Sequence, residues 1–187
     1  TAIGVMLGRA EKRGVPPGSA ELREVREVAQ EALEKMRSLS QGLHPSILDD
    51  GGLEKAIDWY IPVFEKQTGI AVQYEKESAS PAIPERVGVN VYRVLQESLN
   101  NVARHSRTNR AWVRVRLLAD SVSLDVEDHG VGIPERGADA GRGGLGTVAM
   151  RERADLLQGT IEFLRPAEGG TLVRLRVPLN NVEADGN

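Results

Sequence analysis

Apolar residues recur every three or four positions from Ala20 to about Gly42, at Leu22, Val25, Val28 or Ala29, Ala32 or Leu33, Met36, Leu39 and Leu43. That spacing draws one stripe along a helix. Ser19 suits its N-cap, and Glu21 and Glu24 suit the positive end of its dipole. A shorter apolar stretch over residues 1–12 reads as the end of an earlier helix, closed by Gly14-Val15-Pro16-Pro17-Gly18. Two helices joined so closely form an antiparallel hairpin. A stripe with so little else to cover it predicts a homodimer through this segment. His44 precedes Pro45, which ends the helix, and is read as a helix-terminal histidine rather than a phosphate acceptor.

Leu53 to about Gln67 is a second amphipathic stretch, with Pro62 expected to shorten or kink it and Trp59 expected in the core. Ile70, Val72 and Tyr74 alternate as a strand, and Ser78 to Pro84 is linker. Pro84 opens a long helix to about His105. Its apolar face holds Val87, Val91, Leu95, Leu99 and Val102, and its polar flank holds Asn90, Arg93, Glu97, Asn101, Arg104 and His105.

Alternation at Ala111, Val113, Val115 and Leu117, then at Val122, Leu124 and Val126, predicts a hairpin around a two-residue turn at Ala119-Asp120. That turn sets Val113 against Val126 and Val115 against Leu124 on the inner face, with Arg114 against Asp125 and Arg116 against Ser123 on a solvated outer face. Asp128 falls on the inward parity, where a carboxylate needs partners. Thr147 to Leu157 makes a further helix ended by Gly159 as its left-handed cap, and strands through Ile161 and Phe163, then Val173, Leu175 and Val177, follow. The fold class is α/β: a two-layer sandwich of a mixed, mostly antiparallel sheet with helices on one face, preceded by a helical hairpin. Residues 1–50 read as the partial dimerisation hairpin, 51–180 as one catalytic domain and 181–187 as a disordered tail.

Composition removes options. The 187 residues include no cysteine, which excludes a disulfide framework or a thiolate metal site. A net charge of −3 makes no electrostatic case for nucleic acid. No apolar run nears the roughly 20 residues that span a bilayer, so the segment reads as cytoplasmic, leaving room for a membrane-anchored parent.

Seven of the 20 glycines fall between Gly130 and Gly146, a density that suits a mobile loop over a ligand. Gly141, Gly143 and Gly146 match GxGxxG, but that fingerprint needs its first glycine directly after a strand of a βαβ unit, whereas about a dozen residues separate Asp128 from Gly141. No GxxxxGK[ST], HExxH or GxSxG occurs. What remains is an inward Asp128, able to accept the amino N–H of an adenine, and a helix flank with Glu97, Asn101 and His105. Beside them a glycine loop ends on a helix N-terminus around Gly144 to Thr147, suited to phosphates. Asn101 offers magnesium (Mg2+) a carbonyl oxygen. The set points to an adenine nucleotide with magnesium.

QESLNNVARHS, then DHGVGIP, then GGLGTVAMRERADLLQG and a late GGTLVRLRVPL together resemble the ATP-binding domain of sensor histidine kinases, within the gyrase, Hsp90, histidine-kinase and MutL ATPase superfamily. The match covers about residues 85–178. LSQGLHPSILDDGGLEKAIDWY is similar to the second dimerisation helix and linker of the nitrate-sensor-like class, whose lids are short. The resemblance implies ATP as substrate, Asn101 as magnesium ligand, Glu97 as the group that orients or polarises the reactants, and Asp128 on the adenine. Gly130 and Gly132 would line the base pocket, Ile133 would belong to the nucleotide-binding set, and Thr171 would reach the adenine through a water. Arg104, His105, Gly143, Gly144, Leu145, Gly146 and Thr147 would complete the nucleotide-binding set, with Glu135 to Arg142 as the lid. A response regulator is the implied partner.

In that class the phosphate-accepting histidine is followed by an acidic residue. Here His44 precedes proline, His105 serine and His129 glycine, so the chain is expected to lack its acceptor. Two other readings stand beside the kinase: an ATP hydrolase of the same superfamily with Glu97 activating water, and a non-catalytic dimeric module that binds nucleotide or a partner protein.

Overall fold

The computed structural model of the protein describes residues 46–79, 83–132 and 145–179. The chain divides into two compact units, Thr1–Pro45 and Ser46–Asn187, and every described residue belongs to the second. The N-terminal hairpin, its dimerisation stripe, His44 and the tail lie outside the described residues.

Helix α1 spans Ser46–Thr68 with a break at Gly52, whose φ of 68° and ψ of −179° are not helical. The continuous part therefore begins at Leu53, as the periodicity predicts. Leu53, Ala56, Ile57, Ile61 and Phe64 are buried on one side. Pro62 does not shorten the helix, which runs through it to Thr68. Pro62 is exposed, so the carbonyl it deprives of an N–H faces water, which can hydrate it. The core placement of Trp59 also fails, since it is 51% exposed. It lies roughly 200° around the helix from Ile57, on the side away from the core.

Helix α2, Glu85–Asn101, buries Val87, Val91, Leu95 and Leu99, and adds Tyr92 and Val94 to that face. Its last turn widens into a π-turn, Val102–Ser106, ended by Arg107 in the left-handed region. Helix α3 covers Leu145–Leu156. The assignment of Gly159 as its left-handed cap is corrected: Gln158 takes that conformation at φ 52°. The N–H groups of Gln158 and Gly159 close on the carbonyls of Asp155 and Ala154, a Schellman pair. Glycine is needed one residue later for space, since a Cβ at position 159 would lie 2.5 Å from the Arg176 carbonyl oxygen.

Five strands form one mixed sheet: β1 (Ala71–Ser78), β2 (Arg110–Leu117), β3 (Ser121–Asp128), β4 (Thr160–Leu164) and β5 (Thr171–Pro178). Their order is β1-β2-β3-β5-β4, with only the β1–β2 pair parallel. The β2–β3 register is the expected one, with Val113 opposite Val126, Val115 opposite Leu124 and Arg114 opposite Asp125. The inward valines and leucines join the buried residues of all three helices in a single core. The other face carries ion pairs, among them Arg114 with Glu127 at 2.9 Å and Arg116 with Glu77 at 3.2 Å.

One outer residue departs from expectation. Asp125 is only 8% exposed rather than solvated. Arg176 from β5 donates both Nη atoms to its carboxylate, at 2.7 and 3.4 Å, and Arg174 lies 3.5 Å away. Alternation assigns a face; the long arginine stems of the neighbouring strand decide whether that face is covered.

Candidate functional site

Asp128 closes β3 on the inward side, 4% exposed, directly opposite Thr171 of β5. Its Oδ1 accepts the Gly130 N–H at 2.8 Å, a local turn that keeps the carboxylate pointed away from the outer face. Burial pushes its carboxyl above the usual carboxylate range; the Gly130 N–H and the hydroxyl and N–H of Thr171 oppose that shift without cancelling it. The carboxylate is thus held by neutral donors, and it retains acceptor capacity for a further N–H group.

Two loops fold tightly around it. Gly132 and Gly170 have φ of 73° and 80°, which side-chain-bearing residues rarely adopt. A Cβ on Gly170 would overlap the Asp128 carbonyl oxygen, and one on Gly132 would lie 2.7 Å from the Gly170 carbonyl oxygen. The segment after Asp128 is also fastened to the end of α2. Val131 donates its N–H to the Ser106 carbonyl at 2.9 Å, and a Cβ on Gly130 would fall on that same oxygen. Ser106 is itself fixed by its hydroxyl, which donates to the Val102 carbonyl at 2.6 Å. The π-turn therefore carries the Asn101 end of α2 beside the Asp128 end of β3.

Along α2, Glu97 and Asn101 sit one turn apart and partly buried, while Arg104 and His105 are exposed on the π-turn. Helix α3 lies against this helix, and hydrogen bonds among the described residues help to pin it. Ser98 donates to the Met150 sulfur at 3.5 Å, Arg153 to the Asn90 amide oxygen at 3.3 Å, and Arg86 to the Leu156 carbonyl at 2.8 Å. The start of α3 thereby reaches Glu97. Leu145 is exposed there, whereas Gly146 and Thr147 are partly buried.

The structure thus brings together Asp128, Gly130, Gly132 and Thr171 at one end and Glu97 with Gly146 at the other, with Asn101 between them in the chain. Ile133, Gly143, Gly144 and the lid Glu135 to Arg142 lie outside the described residues. Two contributors went unread in the sequence. Gly170 had a signal in the Gly169-Gly170 pair before Thr171. Ser106 had none, because its part is played by a backbone carbonyl.

A buried carboxylate with spare acceptor capacity, a Glu/Asn helix flank and the start of α3 are thus the polar features that this α/β fold gathers. Residues 87–181 match the model of the family described as histidine kinase-, DNA gyrase B- and HSP90-like ATPases, and the chain belongs to that family. Among individual relatives it is 36% identical over 149 residues to the oxygen sensor histidine kinase NreB of Staphylococcus carnosus, covering 80% of this chain and 43% of that protein. It is 26% identical over 171 residues to the signal transduction histidine-protein kinase/phosphatase DegS of Brevibacillus brevis, covering 91% of this chain and 44% of that one. The chain thus spans less than half the length of either relative.

Solved structures share the fold. The histidine kinase domain of the Erythrobacter litoralis EL346 blue-light activated kinase aligns with a TM-score of 0.59 at 20% identity, over 100% of this chain and 88% of that one. The Acinetobacter baumannii histidine kinase AdeS aligns with a TM-score of 0.60 at 19% identity, over 97% and 96%. Among the described residues no helix is long and apolar enough to cross a membrane.

Proposed function

We propose that this chain is the ATP-binding catalytic part of a sensor histidine kinase, which moves the γ-phosphate of ATP to a histidine and then to a response regulator. The observation that carries the reading is Asp128: a carboxylate 4% exposed, held by neutral donors, in a chain whose residues 87–181 belong to an ATPase family. Such a group suits the exocyclic amine of adenine. Gly130, Gly132 and Ile133 would wall the base, and Thr171, already bonded to Asp128, would extend the network to it.

Asn101 fits magnesium as a single hard oxygen donor, the remainder of its shell coming from phosphates and water. Bound there, the ion would neutralise phosphate charge. Backbone N–H groups from Gly143 to Thr147, with Leu145 and the start of α3, would receive the phosphates, and Arg104 and His105, exposed on the π-turn, would supply a polar rim. Glu97 would orient and polarise the incoming nucleophile, since phosphoryl transfer depends mainly on positioning and charge stabilisation. None of the three histidines precedes an acidic residue, so we place the phosphate acceptor outside this chain. Dimerisation through residues 20–42 and a cytoplasmic location belong to the same reading.

The test is labelled ATP with the full-length polypeptide. An acid-labile phosphohistidine outside residues 1–187, dependent on magnesium, is the expected result. Steady phosphate release from this chain alone, lost in Glu97→Ala, would instead mark an ATP hydrolase. Nucleotide binding with neither outcome would mark a non-catalytic module, and label on His44 would overturn its reading as a helix-terminal residue.

A further inference from the structure

Gly146 stands at the start of α3, where the resemblance has it support the lid and the phosphates. The geometry points to a different duty: Gly146 keeps open the space that the Glu97 carboxylate occupies, and so acts as a positioning residue for Glu97. An ideal Cβ at position 146 would fall on Glu97 Oε1, and would lie 2.8 Å from its Cδ and 3.3 Å from its Cγ. Carbon–carbon contacts are comfortable only from about 3.5 Å. Even a methyl group would therefore evict the carboxylate.

The obstacle is the free end of a flexible side chain, and this separates function from folding. Gly146 is not among the residues with positive φ, so alanine is compatible with its backbone. Alanine also forms helix better than glycine. Among the described residues the nearest atoms in the way, Oε1, Cδ and Cγ, all belong to the Glu97 side chain, which can turn to another rotamer. Gly132 and Gly170 differ in kind, because at both the atom in the way is a backbone oxygen and φ is positive.

The anchoring of α3 gives the contact its precision. Ser98, the residue after Glu97, bonds Met150, one turn after Gly146, so the two helices are pinned immediately beside it. The room the carboxylate occupies is set by what is missing from the facing helix. The inference rests on the reading of Glu97 as the group that orients the reactants, and its test separates the two.

In the full-length polypeptide, Gly146→Ala should melt at or above the parent temperature and keep the KM for ATP within about threefold, while kcat for phosphoryl transfer falls at least about tenfold. Placed in a Glu97→Gln background, the same substitution should cause no further loss, since the group it displaces is already disabled. An unchanged kcat in Gly146→Ala, or an equal loss in both backgrounds, overturns the inference. If Glu97→Gln alone keeps the parent kcat, the reading of Glu97 fails by itself. The space is then judged by a crystal structure of Gly146→Ala, where a displaced Glu97 carboxylate supports the inference and an unmoved one overturns it.

Discussion

Asp125 and Asp128 lie three residues apart on β3, both nearly inaccessible at 8% and 4% exposure, on opposite faces of the sheet. Asp125 is gripped by Arg176 and Arg174, so its charge is matched by cations of the neighbouring strand. Asp128 is held by the Gly130 N–H and by Thr171, groups that carry no charge. The outer carboxylate has met its partners within the fold and ties β3 to β5. The inner one has been desolvated with no cation bonded to it, the charge of neighbouring His129 being the smallest of the opposing effects, and a ligand donor can offset the remaining cost.

The comparison can be broken most directly on affinity. Asp128→Asn should weaken magnesium-ADP binding about a hundredfold, or about 2.7 kcal/mol, in a calorimetric titration, whereas Asp125→Asn should leave it unchanged. Equal affinities for the two variants would abolish the distinction. Stability should show the reverse ranking. Asp125→Ala leaves two arginines without their carboxylate and should cost about 1–2 kcal/mol in denaturant unfolding, below the roughly 3–5 kcal/mol for a fully buried pair. The discount applies because 36% and 39% of the arginine side chains remain exposed. Within that network Arg176→Ala should cost more than Arg174→Ala, each below about 1 kcal/mol, since Arg176 makes the 2.7 Å contact and Arg174 only 3.5 Å contacts.

The last test is one of sign. The carboxyl of Asp128 titrates above its ordinary range because burial disfavours the charge. At neutral pH the folded state therefore carries a strained carboxylate, and Asp128→Asn should melt higher than the parent. As pH falls from neutral through that raised pKa, the parent takes up a proton more readily folded than unfolded, and the advantage of the variant should vanish. A variant that is less stable at neutral pH would show that Thr171 and Gly130 outweigh burial.

Much of this was legible without coordinates. The β2–β3 register followed from parity and a two-residue turn, and with it the inward position of Asp128. The stripe of α2 identified Val87, Val91, Leu95 and Leu99 as buried, without Tyr92 and Val94, and the flank carrying Glu97 and Asn101. Other features had no one-dimensional trace. Trp59 is expected in the core, yet its angular position on α1 places it outside. The turn after α3 was assigned to Gly159 by residue type, although Gln158 accepts the left-handed conformation and the glycine yields room to Arg176. Ser106 acts through its carbonyl, which every residue possesses.

The sequence alone determined what each residue could face, because strand and helix periods are properties of the local backbone and the hydrophobic pattern must match them. Tertiary structure decided what each residue actually meets. β5 was inserted between β3 and β4, and that order, which no local rule specifies, laid Arg174 and Arg176 over Asp125 and Thr171 against Asp128. The approach of α3 to α2 then set a glycine where Glu97 needs space. Those partners come from residues about 50 positions away, and only the packing of the whole core brings them within contact.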